Sequence, residues 1–189
     1  MIVAGDEQLL ASAARGDREA LNELFGRYRS VAYRVAYRLL GNEADALDAV
    51  QDAFVKALTH LHGFEGRSSF KTWLLRVVSN TALDLGRRRG RRESVSFDAM
   101  WPVQREAIEP LVNDAAGRDL ERVDLRRLLH EALDQLSPPQ RQTFVLYAEA
   151  GLTYREVAGT LNVSVGTVMS RLFYARQKLR VLLEVWTQP

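Results

Sequence analysis

The stretch Gly151-Leu152-Thr153-Tyr154-Arg155-Glu156-Val157-Ala158-Gly159-Thr160-Leu161-Asn162-Val163-Ser164-Val165-Gly166-Thr167-Val168 spells two helices joined by a short turn. Thr153 and Glu156 stand three residues apart, the spacing of a capping box in which each side chain satisfies a backbone N–H at the helix start. Val157, Ala158 and Leu161 then fall on one side. Asn162 is a residue that tolerates the left-handed backbone conformation of a tight turn, and Ser164 is a good N-cap for the second helix. This pattern predicts a helix-turn-helix. Along its second helix Val168, Leu172, Ala175, Leu179 and Leu182 form a packing stripe, while Thr167, Ser170, Arg171, Tyr174 and Lys178 line another face. Polar and basic groups on such a face suit the base edges and phosphates of a DNA major groove. A plain helical hairpin with a solvated face has the same periodicity, but two caps at the correct separation favour the DNA-binding motif.

Working back, Leu125, Leu128, Leu129, Ala132, Leu133 and Leu136 recur at helical spacing and end at Ser137-Pro138-Pro139-Gln140. There Ser137 can cap a new helix, with proline at its first position and Gln140 reaching back. From Glu93 to Asp124 the periodicity fades, Pro102 and Pro110 interrupt it, and eight acidic residues face three basic ones. That segment is expected to be an acidic linker with at most one short helix.

The first block, residues 1–92, is again helical in period. Leu9, Leu10, Ala13 and Ala14 are followed by Leu21, Leu24, Phe25, Tyr28, Ala32, Val35, Ala36 and Leu39. Gly16-Asp17 and Gly41-Asn42 mark where helices stop and are capped again. A helix over about Glu43 to Leu61 is expected to bury Leu47, Val50, Phe54, Ala57 or Leu58, and Leu61. Asp45, Asp48, Gln51 and Asp52 share the side opposite that stripe, where either solvent or a basic partner helix meets them. After a polar loop, another helix carries Leu74, Val77, Val78, Ala82 and Leu85 inward and runs into Arg87-Arg88-Arg89-Gly90-Arg91-Arg92.

Around this last helix aromatic, amide and basic residues interleave: Phe64, Arg67, Ser68, Ser69, Phe70, Lys71, Trp73, Arg76 and Asn80, then the arginine cluster with Arg87 and Arg88. Trp73, Arg76, Asn80 and Arg87 fall on one helical face. Rings for an unstacked base, an amide for its edge and cations for phosphates are what single-stranded DNA requires. The competing reading keeps Phe70 and Trp73 in the core and leaves the arginines as a solubilising helix end.

The whole sequence is thus all-α, two small helical domains (1–92 and 125–189) joined by the linker 93–124. Its 189 residues are 47% hydrophobic, enough to give each block a core. The formal charge is only +2, but the acidic linker leaves the remainder basic, which fits a polyanionic partner. With no cysteine, and with His60, His62 and His130 at no metal-ligand spacing, neither a disulfide nor a metal or other cofactor is expected. No window approaches a membrane span, so a cytoplasmic protein, monomeric when free, is expected. No nucleophile-base pair or second carboxylate group completes a catalytic site beside Asp45, Asp48 and Asp52, so no enzyme is expected.

The order of these parts resembles the extracytoplasmic-function (ECF) class of bacterial sigma factors over almost the whole chain. The run Asp45 to Phe54 resembles the family's core-polymerase-binding helix, Phe64 to Arg92 its promoter-melting and −10-reading segment, and Leu133 to Leu183 its −35-reading domain. The resemblance implies that Asp45, Asp48, Gln51 and Asp52 bind core RNA polymerase, and that the loop Phe64 to Phe70 holds a flipped −10 base near Asn80. It also implies that the helix from Val165 enters the −35 major groove, with Thr167, Ser170, Arg171 and Arg176 as contacts, Thr153 and Tyr174 counted with them. An anti-sigma factor is an implied partner. Two positions depart from the family: Met169, where Lys or Arg is usual, and Leu47, where an acidic residue is common. A free-standing helix-turn-helix regulator is the rival reading, and the aromatic-basic segment argues against it.

Overall fold

The computed structural model describes residues 5–96 and 119–187, and among these it contains eight α-helices and no strand. In chain order they are α1 (Asp6–Ala14), α2 (Arg18–Leu40), α3 (Glu43–Thr59), α4 (Phe70–Ser96), α5 (Asp119–Asp134), α6 (Pro138–Ala148), α7 (Tyr154–Leu161) and α8 (Val165–Thr187), with a 3-10 turn at Leu61–Gly63. The fold is all-α.

The helix boundaries follow from local chemistry. Gly16 adopts φ +90°, and Asp17 accepts the N–H groups of Glu19 and Ala20 at 2.9 and 3.1 Å, capping α2. Gly41, at φ +80°, ends α2 with its N–H on the Tyr37 carbonyl, and the Asn42 side chain caps α3 through the Asp45 N–H at 2.8 Å. Left-handed backbone costs an L-residue about 1–2 kcal/mol, which explains glycine at both stops. At the start of α6 the Gln140 side chain accepts the Ser137 N–H at 3.2 Å, as its spacing predicts. Helix α1 is fastened to α2 by an Arg27–Asp6 ion pair of 2.8 Å and by the Tyr28 hydroxyl, which donates to Asp6. Burial, then the neighbouring carboxylate, pushes the Tyr28 hydroxyl up to about 12.

Helices α2, α3 and α4 enclose the first core. Its inward residues include Leu24, Phe25, Val35 and Leu39 of α2, and Phe70, Leu74, Leu75, Val78 and Ala82 of α4. Helix α3 is turned relative to its predicted stripe. The buried residues are Ala46, Ala49, Val50, Ala53 and Ala57, whereas Leu47 and Leu58 are 50% and 40% exposed. Alanines allow α3 to approach its neighbours closely, and that packing overrides the larger side chains one position away. Phe54 and Leu61 are half-buried.

Two boundaries also shift. Helix α4 continues past Arg92 to Ser96, because arginine is a good helix former and a single glycine costs only about 1 kcal/mol. Helix α5 starts at Asp119, six residues before the apolar periodicity, where acidic residues suit a helix N-terminus. Most of the predicted linker, residues 97–118, lies outside the described residues.

The apolar interior is continuous between the two blocks. Val145, Leu146, Ala150, Leu152, Val157, Ala158, Val168 and Leu172 belong to the same cluster as the residues of α1 to α4. A smaller cluster of Ala132, Leu133, Leu136, Ala175 and Leu179 ties α5 to α8. At the end of α2 the His130 ring lies so close to Gly41 that an added Cβ would sit 1.9 Å from its Nε2.

Candidate nucleic-acid interface

The turn between α7 and α8 is built as its residues dictate. The Thr153 N–H donates to Glu156 at 2.8 Å while the Glu156 N–H donates to the Thr153 hydroxyl at 3.3 Å. These bonds from Thr153, backbone first, hold the Glu156 carboxyl below its ordinary pKa. Asn162 takes φ 53°, and Ser164 accepts the Thr167 N–H at 3.0 Å to start α8. Val168, Leu172, Ala175 and Leu179 are buried, which turns the opposite side of α8 outward. Of the expected DNA contacts, Thr153, Ser170, Tyr174, Arg176 and Lys178 are exposed, and Thr167 and Arg171 are half-buried. Arg176 lies 5.2 Å over the Tyr147 ring, and Lys178 donates to the Gln135 carbonyl. Val165, Met169 and Phe173 are also exposed, on the flank of the buried stripe away from the polar face, and their spacing of four residues is the signal that finds them.

On α4 the structure gathers Trp73, Arg76 and Asn80 around one cavity of about 400 Å³. Lys56 and His60, from the end of α3, complete it, together with Asp84. Neither Lys56 nor His60 is legible as a site residue from the sequence, because only packing brings the end of α3 beside the middle of α4. Phe64 borders this region, with its ring 5.4 Å from Trp73. Phe70 does not: it is 2% exposed, packed between Phe25, Tyr28, Phe64 and Trp73 at 5.7 to 6.0 Å. As the first residue of α4 it turns into the core, so its expected role as a DNA contact is corrected: its ring backs those of Phe64 and Trp73. Arg67, Ser68 and Ser69 are exposed in the loop, Arg67 paired with Glu65 and Ser69 accepting the Thr72 N–H at 3.1 Å. Lys71 is half-buried, and Arg87 and Arg88 are exposed, Arg87 paired with Asp84.

The acidic face of α3 retains Asp48, Gln51 and Asp52, exposed alongside Leu47 and Val55. Asp45 is not part of it. It is 2% exposed, accepts from the Asn42 amide at 2.6 Å and pairs with Arg89. The same rotation that turns Leu47 outward turns Asp45 toward α4, where it neutralises one residue of the arginine cluster.

The family pattern of sigma-70 region 2 matches residues 24–92, and that of sigma-70 region 4 matches residues 126–179. The chain is 33% identical over 186 residues to the RNA polymerase sigma-H factor of Pseudomonas aeruginosa, covering 95% of this chain and 94% of that one. It is also 33% identical to the ECF RNA polymerase sigma-E factor of Escherichia coli strain K12, with 92% of each chain covered. The chain belongs to the ECF sigma factors of RNA polymerase. A solved structure of the sigma factor RpoE with the anti-sigma factor NepR from Bartonella quintana superposes with a TM-score of 0.67 at 28% identity, over 87% of this chain and 98% of that one. As an alternative sigma factor, the protein directs RNA polymerase to particular promoters. Among the described residues no helix is long and apolar enough to cross a membrane.

In this sigma factor the region 2 and region 4 segments are packed against each other. The Thr72 hydroxyl, beside the cavity, donates to Glu156 of α7 at 2.9 Å. Gln142 of α6 donates to Asn80 and Ser79 at 3.4 Å. Glu149 bridges Arg34 and Arg38 of α2 at 2.6 and 3.3 Å, and Arg141 donates to the Leu39 carbonyl. Two of these contacts fall on or beside the expected −10 surface.

Proposed function

We propose that this sigma factor works through three surfaces on two domains, residues 1–92 and 125–189, connected by the acidic linker 93–124. The outward face of α3, Asp48, Gln51 and Asp52 with Leu47 and Val55, docks core RNA polymerase. The cavity of Trp73, Arg76, Asn80, Lys56 and His60, with the Phe64 ring packed on Trp73, captures a base flipped from the melted −10 element. Lys71, Arg87 and Arg88 attract its phosphates. Helix α8 enters the −35 major groove with Thr167, Ser170, Arg171, Tyr174, Arg176 and Lys178, and Thr153 contacts the backbone at the start of α7.

The observation that carries this reading is the cavity. A ring wall, an amide and cations converge, beside the Asp84 carboxylate, on an open surface pocket of about 400 Å³. Stacking and edge contacts there stabilise the open strand over the duplex, and two weak readers held on one polymerase gain specificity by avidity. No chemical step belongs to the sigma factor; catalysis is the polymerase's, and the site of action is the cytoplasm. Because the Bartonella relative is solved with an anti-sigma factor, we assign this chain a regulator of the same kind, one that holds the two domains together.

The test is run-off transcription from genomic fragments by core polymerase with this chain added, followed by permanganate probing of unpaired thymines. Discrete transcripts are expected, with melting reduced at least tenfold by Trp73→Ala or Asn80→Ala and restored on a pre-melted template. Full melting by both variants contradicts the cavity's role.

A further inference from the structure

The leading turns of α8 carry an apolar strip with no partner among the described residues. Val165, Met169 and Phe173 are 37, 55 and 63% exposed, and Tyr174, its ring 5.4 Å from that of Phe173, is 56% exposed. The first three recur every fourth residue, so they form one ridge of the helix, beside the buried stripe rather than in it. Single exposed apolar residues are ordinary; a contiguous strip on one helix marks a surface that another molecule covers.

The hydroxyls next to this strip use their donor protons largely on local partners and keep lone pairs to accept. Ser164 Oγ accepts the Thr167 N–H and lies 2.9 Å from Thr167 Oγ1. Ser170 Oγ gives its one proton to the Thr167 carbonyl at 3.0 Å. They serve the groove mainly as acceptors. Arg171 is half-buried and Arg176 is stacked on Tyr147. Besides those acceptors, what the helix tip mainly presents is methyl, thioether and ring surface. In a major groove the one base feature that such surface distinguishes is the 5-methyl group of thymine. The helix-turn-helix that carries the strip also bears exposed cations at Arg155, Arg176 and Lys178, which gives the motif the charge complement of a phosphate-lined groove rather than of a neutral protein face.

We propose that Met169, with Val165 and Phe173 on either side, reads thymine methyl groups in the upstream duplex element of this sigma factor's promoters. The proposal deepens the assignment of α8 as the duplex reader and rests on it. Methionine suits the role, since its unbranched thioether adapts to the position of a methyl. The base preference at this place is then for thymine through contact, where a cation would have chosen guanine or a phosphate.

The experiment uses holoenzyme, core RNA polymerase with the full chain, on a promoter fragment identified by run-off transcription. Each upstream thymine is replaced in turn by deoxyuridine, which deletes only the methyl, and binding is measured by competition at fixed salt. At one or two positions uracil is expected to weaken binding about fourfold, the worth of burying one methyl-sized group. Met169→Ala should bind thymine and uracil versions equally, and Met169→Leu should keep the discrimination, which separates reading from folding. Uracil tolerated at every position overturns the proposal, as does a thymine preference that survives Met169→Ala. Loss of affinity for core polymerase without DNA in Met169→Ala shows the strip to be a protein contact, and that also overturns it. Holoenzyme that selects no promoter at all contradicts the duplex-reader assignment itself, a failure distinct from the others.

Discussion

Replacing Glu149 with arginine strikes the contact that most directly holds the two halves of this sigma factor together. Glu149 and Arg38 are each about one-fifth exposed at the side chain and Arg34 about half, so the Arg38 pair is the better shielded of the two. Exposed pairs contribute about 0.2–1 kcal/mol. Taking about 0.3 kcal/mol for Arg34 and about 1 kcal/mol for Arg38, loss of both costs roughly 1.3 kcal/mol. A third positive charge beside them adds repulsion of about half that size, roughly 0.7 kcal/mol, for a total of about 2 kcal/mol. That shifts the ratio of packed to separated halves about 30-fold toward separation. Because the chain has no cysteine, the pair Thr59→Cys and Gln177→Cys gives two unique dye positions, one in each half. Single-molecule energy transfer on the free protein should show one high-transfer population, with a low-transfer population rising in Glu149→Arg and, more weakly, in the parent at high salt. Identical distributions for parent and variant would refute the reasoning, because the continuous apolar cluster would then be holding the halves without the ion pairs.

Gly41→Ala should cost about 2–3 kcal/mol by chemical denaturation, from its φ of +80° together with the collision of the new Cβ with His130; adding His130→Ala should recover the collision part and leave about 1 kcal/mol. Removing the caps of the helix-turn-helix by Thr153→Ala or Ser164→Ala should each cost about 1 kcal/mol of stability, and Ser164→Ala should also weaken duplex binding, measured by competition, by loosening the start of α8. Glu156 has a lowered folded-state pKa, so its contribution is present above the unfolded value of about 4.3 and is lost as pH falls through the folded one. Stability to denaturant should therefore decline as the pH falls through that lowered value, and less so in Glu156→Gln.

The helix starts and stops are the most legible features of the sequence, because Asp17, Asn42, Thr153 and Ser164 each act on backbone groups within three residues. The core of α2 and the stripe of α8 are equally plain, since long helices with branched apolar residues leave little freedom in phase. Helix α3 is not. Its inward residues are mostly alanines, which carry a weak periodic signal beside Leu47 and Leu58, and the error in phase carries Asp45 onto the wrong face. Phe70 poses the converse difficulty: a large ring at a loop-helix junction serves core or ligand equally well by sequence, and only its four aromatic neighbours decide. Lys56 and His60 join the cavity through the packing of α3 on α4, a relation no local pattern encodes. The packing of α6 and α7 onto α2 and α4 is likewise invisible, because it rests on pairs such as Arg34 with Glu149 that are more than a hundred residues apart.

The central claim, that this chain is the promoter-selecting subunit docked on polymerase through the outward face of α3, is tested most directly by pull-down of purified core RNA polymerase. The parent chain is compared with an Asp48→Arg, Asp52→Arg double variant and with Asp45→Asn. The account predicts that the parent retains polymerase, that the charge reversal abolishes retention, and that Asp45→Asn retains it, its carboxylate being buried against Arg89. Retention unchanged by the charge reversal, or no association of the parent with polymerase, would contradict it.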